Sequence, residues 1–268
     1  MTHQSPEATG TEIQKRFAID QHSIQAGEFA RRYLDLDADV YGSCFTYSRR
    51  RLDVLLDRFL PRHGEGLSLL DVGCGTGHHL AGMRERGFEV AGVDGSEEML
   101  EHARLNNPGA DIRRADVEAI PFPDASFDFV VCREVLRYLP GSAACIQEMA
   151  RVLKPGGVCL ATATPVLNLN GYWLVNRIAN TVRVGDLVRL KQFFTTSSKL
   201  RREFAEAGFQ NSAVHGVYLG PINWVERLLP AALPRVLKAW EKSDAVLADR
   251  PVLRELSNMF LVHATRGR

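Results

Sequence analysis

Leu69-Leu70-Asp71-Val72-Gly73-Cys74-Gly75-Thr76-Gly77 decides the fold. An apolar strand ends in an acid and three alternate glycines, so the backbone can turn tightly and lie against a ligand, because glycine tolerates positive φ and interposes no side chain. Where a helix follows such a strand, an open α/β sheet binds nucleotide-like molecules. A dinucleotide fingerprint needs a third glycine at the position of His78. The D-x-G-x-G-x-G spacing departs from it, and an acid before the turn suits a ligand carrying an ammonium group better than a pyrophosphate.

Two further pieces lie downstream. Phe88-Glu89-Val90-Ala91-Gly92-Val93 reads as the next strand and finishes at Asp94-Gly95, where a carboxylate can accept from both hydroxyls of a ribose. The alternative for Asp94 is a plain cap on the helix that begins near Ser96. After a short strand, Ala110 to Arg114, comes Ala115-Asp116-Val117. Asp116 there can accept from an adenine amino group while the Val117 N–H donates to the ring.

These pieces, followed by Phe127-Asp128-Phe129-Val130-Val131 and Leu153-Lys154-Pro155-Gly156-Gly157, resemble the class I S-adenosylmethionine-dependent methyltransferases over about residues 65 to 165. Five motifs in the right order make the resemblance specific. It is closest in type to the small-molecule enzymes of ubiquinone and menaquinone biosynthesis, including the helix and Ala207-Gly208-Phe209 signature. The resemblance implies a Rossmann-like, doubly wound, seven-stranded sheet whose last strand is antiparallel. It implies S-adenosyl-L-methionine as cofactor, S-adenosyl-L-homocysteine as product, and cofactor contacts from Asp71, Gly73, Cys74, Gly75, Gly77, Asp94, Gly95, Met99, Asp116, Val117, Cys132 and Arg133. Met99 is expected against the adenine face. Arg51 resembles an arginine that binds the methionine carboxylate, with Arg50 one residue away in the same register window.

In the ubiquinone O-methyltransferases a Glu-x-x-Glu-His pattern binds a divalent metal; here Glu134 is kept, but Arg137 and Tyr138 replace the second acid and the histidine. A cation cannot serve as a hard-metal ligand, so metal-independent transfer is expected. Methyl transfer from a sulfonium is an in-line displacement, and proximity and orientation alone can supply roughly 7 to 11 kcal/mol. Tyr138 is a candidate to orient the acceptor or relay its proton, against a purely packing role. His78, after the glycine turn, is a second catalytic candidate against a solvent-facing helix start. The side on which His215 faces is open.

Composition narrows the partners. A net charge of +1 argues against nucleic acid, whose binding rests on neutralising phosphates. Five cysteines without C-x-x-C spacing read as reduced thiols in a cytoplasmic protein. No run approaches the ~20 apolar residues of a membrane span, and the N-terminus lacks the pattern of a signal peptide. Length and pattern favour one methyltransferase domain over 23–268, with cap elements near 23–62, 166–195 and 221–254, preceded by a polar, aperiodic tail over 1–22 read as disordered. Sixth and seventh strands are expected near 212–219 and 257–264.

Residues 172–202 hold Arg177, Arg183, Arg189, Lys191, Lys199, Arg201 and Arg202 against Asp186 alone. Either this is a solvated helix face, or it attracts a substrate bearing phosphate or carboxylate, or an anionic membrane surface. Between the last two strands Val225, Leu228, Leu229, Leu233, Val236, Leu237 and Trp240 follow helical spacing. They read as cap helices, with peripheral membrane contact or a homodimer contact as alternatives to a monomer. A small, lipophilic or acidic acceptor follows, methylated on oxygen in preference to carbon or nitrogen. A nicotinamide-dependent oxidoreductase and a non-catalytic cofactor-binding protein are the competing functions.

Overall fold

The computed structural model describes residues 10–34, 39–171, 173, 174, 177 and 192–268. Its strands are β1 (Ser68–Val72), β2 (Glu89–Asp94), β3 (Asp111–Arg114), β4 (Phe127–Cys132), β5 (Leu153–Ala163), β6 (Phe209–Gly216) and β7 (Phe260–Arg266). The helices are α1 (Gly10–Leu34), α2 (Cys44–Leu56), α3 (His78–Glu85), α4 (Glu97–Asn106), α5 (Ala143–Val152), α6 (Ser197–Glu206), α7 (Ile222–Leu228), α8 (Leu233–Leu247) and α9 (Pro251–Arg254). One sheet runs in the order β3-β2-β1-β4-β5-β7-β6, with β7 antiparallel to both of its neighbours and the first five strands parallel. This is the doubly wound architecture that the alternating pattern predicts.

The central strands are apolar on both sides because helices cover both faces. One face carries Val130, Cys132, Ile146, Met149 and Phe204 under α5 and α6; the other carries Leu52, Leu69, Leu80, Leu100 and Leu237 under α2, α3, α4 and α8. The five cysteines are buried and unbridged. No helix among the described residues is long and apolar enough to cross a membrane.

Two expectations need correction, and a third falls largely outside the described residues. Residues 10–22, read as disordered, belong to α1, which packs on α4. The contacts that hold this helix are small or polar and carry little hydrophobic signal: Ala18 and Ala26 are buried, Ser23 Oγ donates to Ser96 Oγ at 2.8 Å, and Lys15 Nζ reaches Asp116 and Glu118 at 2.6 Å each. Strands β6 and β7 each sit three residues from where their starts are predicted. Gly208, at φ 90°, ends the turn after α6 and lets β6 start at once with Phe209. Of the basic stretch, Arg183, Arg189 and Lys191 lie outside the described residues, as does most of the cap expected near 166–195; Lys199 and Arg202 pair with Glu203 and Glu206 on α6.

The remaining cap is anchored by polar contacts deep in the structure. Asp244 of α8 is wholly buried; it accepts from the Tyr47 hydroxyl and from Leu219 N–H, both at 2.6 Å, and Arg51 Nε lies 3.4 Å away. Burial raises the Asp244 carboxyl above its ordinary value, and those donors offset part of the rise. At the corner after α8 the backbone comes very close to β6: a Cβ on Gly216 would stand 1.9 Å from the Ala248 carbonyl oxygen.

Candidate active site

A cavity of about 450 Å³ opens at the carboxyl ends of β1, β2 and β4. Its floor is the glycine turn. Gly73, Gly75 and Gly77 all have positive φ (75°, 53° and 73°), so the chain after β1 bends through left-handed conformations unfavourable to other residues. Gly77 then opens α3, where an added Cβ would stand 2.9 Å from the backbone of Ala103.

Asp94, at the end of β2, faces that turn. One carboxylate oxygen accepts from Gly75 N–H at 2.9 Å, the other from Ser96 N–H at 2.9 Å. Burial raises its carboxyl and the two N–H groups lower it, leaving it above the ordinary value. Ser96 itself caps α4, its hydroxyl accepting from Met99 N–H at 3.1 Å. The capping role weighed for Asp94 thus belongs to its neighbour, and Asp94 remains on the cavity wall.

Gly73, Cys74, Gly75, Asp94, Gly95, Met99, Asp116, Val117, Arg133 and Tyr138 all line the cavity. Five anticipated residues do not. Asp71 is buried beneath the turn, where His79 Nδ1 at 3.3 Å and Arg133 Nη2 at 3.9 Å approach its carboxylate. Burial, with Arg133 beside it, lowers the His79 imidazole below its usual range. Cys132 is packed in the core on the α5 side of the sheet, because adjacent strand residues face opposite ways. Gly77 is tucked under α4. His78 begins α3 two residues beyond Thr76, the last turn residue on the cavity, and is half-buried outside its lining. Arg51 is turned onto Asp244; two residues earlier, on the opposite side of α2, Arg49 lines the cavity instead.

The segment after β4 forms the opposite wall. Glu134 has φ 63°, and its N–H donates to Thr162 Oγ1 at 2.7 Å. Its carboxylate accepts from Arg137, which also donates to Gln192 Oε1 at 2.6 Å. Burial alone would raise the Glu134 carboxyl, but Arg137, Arg49 and Arg133 together pull it below the ordinary range. A divalent metal does not fit this donor set, because a guanidinium occupies the carboxylate where the second ligand would have to approach.

Helix α1 supplies the roof, which the sequence pattern did not reveal. Lys15, Ala18, Ile19, His22 and Phe29 line the cavity from above. The Ile19 side chain lies over Gly95, where an added Cβ would stand 2.6 Å from Cδ1. His22 meets Tyr138 edge to face, with ring centres 4.9 Å apart. The signal available was a stripe at 18, 22, 26 and 29, but alanine and histidine carry little hydrophobic weight. Phe45 and Ser48 of α2, Asn223 and Glu226 of α7, and Asn258 and Met259 before β7 complete the enclosure.

A family model described as a methyltransferase domain matches residues 70–161. The chain is 41% identical over 190 residues to a ubiquinone biosynthesis O-methyltransferase of Alkalilimnicola ehrlichii, covering 68% of this chain and 76% of that protein. It is 32% identical over 196 residues to a malonyl-[acyl-carrier protein] O-methyltransferase of Halorhodospira halophila, covering 69% of this chain and 63% of the relative. Among solved structures, an S-adenosylmethionine-dependent methyltransferase of Thermotoga maritima superposes with a TM-score of 0.58 at 17% identity, over 91% of this chain and 97% of that one. At that identity the likeness is one of fold. Taken with the glycine turn facing Asp94, these relationships identify the chain as a class I S-adenosylmethionine-dependent methyltransferase.

Proposed function

We propose that the protein moves the methyl group of S-adenosyl-L-methionine to a small acceptor that is both apolar and acidic, on oxygen in preference to carbon or nitrogen, without a metal. The observation that carries this reading is the Gly73–Gly75 turn held against Asp94 at one end of a cavity whose other end mixes Phe29, Phe45 and Met259 with Arg49 and Arg137. In the cofactor half, Asp94 accepts from the ribose hydroxyls, Met99 packs on the adenine, and Asp116 with the Val117 N–H reads its edge. With Arg51 withdrawn onto Asp244, the carboxylate of the amino-acid tail is left to Arg133 and Arg49. Bound there, the cofactor supplies an electrophilic methyl on sulfur.

The residues of this chain bind, align and exclude water. In-line placement is the main requirement of the reaction, and α1 closing over Gly95 keeps solvent from the reacting atoms. The apolar surface at the acceptor end favours a lipophilic body, and the arginines favour a carboxylate or phosphate on it. The name of the ubiquinone relative supports an oxygen acceptor. Tyr138, on the wall between the two halves, orients the acceptor.

Calorimetric titration with S-adenosylhomocysteine should give saturable heat and titration with NADH none; heat from NADH alone would overturn the reading. A mass-spectrometric screen of cell extract with methyl-labelled S-adenosylmethionine identifies the acceptor as a species gaining one CH₂.

A further inference from the structure

We infer that His22 of α1 is the general base of this enzyme, taking the proton from an acceptor hydroxyl as it is methylated; the inference rests on the methyl-transfer reading above and adds a catalytic group to it. Its imidazole has a fixed orientation. Nδ1 stands 2.7 Å from the Ala18 carbonyl oxygen, and a carbonyl can only accept, so Nδ1 carries the hydrogen. The neutral ring then bears its lone pair on Nε2, which has no hydrogen-bond partner among the described residues. Two aromatic rings hold the plane of the imidazole: Phe29 stacked at 5.8 Å between centres and Tyr138 edge-on at 4.9 Å.

Each carboxylate that lines the cavity already holds at least one donor of the chain. Both Asp94 oxygens accept backbone N–H groups. Asp116 holds Lys15 with one oxygen and Glu118 N–H with the other. Glu134 is bound by Arg137 and pulled below the carboxylate range, which makes it a weak base. Glu226 accepts from Cys44 N–H at the start of α2. His22 Nε2 holds no such donor among the described residues, and histidine is the residue type best suited to proton transfer near neutral pH.

In the step, the acceptor O–H proton passes to Nε2 while the oxygen forms its bond to the methyl carbon. The bond from that carbon to sulfur breaks with its electron pair remaining on sulfur, and the imidazolium later returns the proton to water. No redox partner is needed.

The test combines two measurements on the full chain. In protein labelled with ¹⁵N-histidine, long-range ¹H–¹⁵N correlation should show neutral His22 with hydrogen on Nδ1 and a bare Nε2; the opposite tautomer overturns the inference. In cell extract supplied with methyl-labelled S-adenosylmethionine, His22→Gln should slow label transfer by roughly 100-fold or more while still binding S-adenosylhomocysteine, which also certifies its fold. Added imidazole should restore part of the rate to His22→Ala. An undiminished rate in His22→Gln overturns the assignment. Absence of labelled product from the unsubstituted protein counts instead against the acceptor chemistry proposed above, and the tautomer is read without turnover.

Discussion

The two ends of the cavity are built by different means. At the sheet end, backbone geometry does the work: a glycine turn, the end of β2 and the cap of α4 are tied by N–H groups to Asp94 and Ser96. At the roof and acceptor end, contacts are made across long stretches of sequence, as in Tyr47 of α2 to Asp244 of α8 and Lys15 of α1 to Asp116 after β3. The first end is local and repeatable, so it suits a constant ligand. The second is assembled from additions to the sheet and meets the first at a few points, such as Ser23 on Ser96 and Ile19 over Gly95.

The contrast can be broken most forcefully at Asp244. Asp244→Ala leaves the Arg51 guanidinium and the Leu219 N–H buried without their partner, and should cost about 3 to 5 kcal/mol of stability. Chemical denaturation read by circular dichroism measures it. At the other end, Asp94→Ala should leave the fold intact and weaken S-adenosylhomocysteine binding by roughly 1.5 to 3 kcal/mol, the loss of charge-assisted hydrogen bonds. Calorimetry checks this, and unchanged affinity would remove Asp94 from the cofactor site.

A smaller effect concerns pH. Burial lowers the His79 and His263 imidazoles in the folded state, so below about pH 6.5 the unfolded chain binds protons that the folded chain does not. Stability therefore falls as pH drops through that range, by at most about 1.4 kcal/mol per pH unit for each group. Urea midpoints at pH 7 and pH 5.5 should differ, and His79→Gln should shrink the difference. The smallest effect belongs to α1: Lys15→Ala removes two ion pairs worth about 0.2 to 1 kcal/mol each. It should hasten proteolytic nicking of α1 while the thermal midpoint of the sheet domain stays in place.

The sheet end was legible in the sequence because it depends on residues close together in the chain. Glycines at alternate positions force the turn, and apolar strands ending in Asp94 and before Asp116 mark its neighbours. Even there, proximity misled for Asp71 and Cys132, which stand beside cavity residues in sequence but point beneath the turn or through the sheet. The roof was not legible. The buried positions of α1 are alanines and its other cavity residues include a histidine, so no apolar periodicity announced it. Which of Arg49, Arg50 and Arg51 faces the cavity depends on helical phase and on Asp244, nearly 200 residues away.

Gly216 gives that distance a mechanical meaning. Because a single methyl there would collide with the Ala248 carbonyl, it would push the corner whose N–H bonds back to Asp244, and with it the anchor of Tyr47 and Arg51. The displacement would travel along α2 to Phe45, Ser48 and Arg49. A position that never meets the acceptor is thus joined, through Asp244, to the helix that carries Arg49 onto the acceptor's chamber.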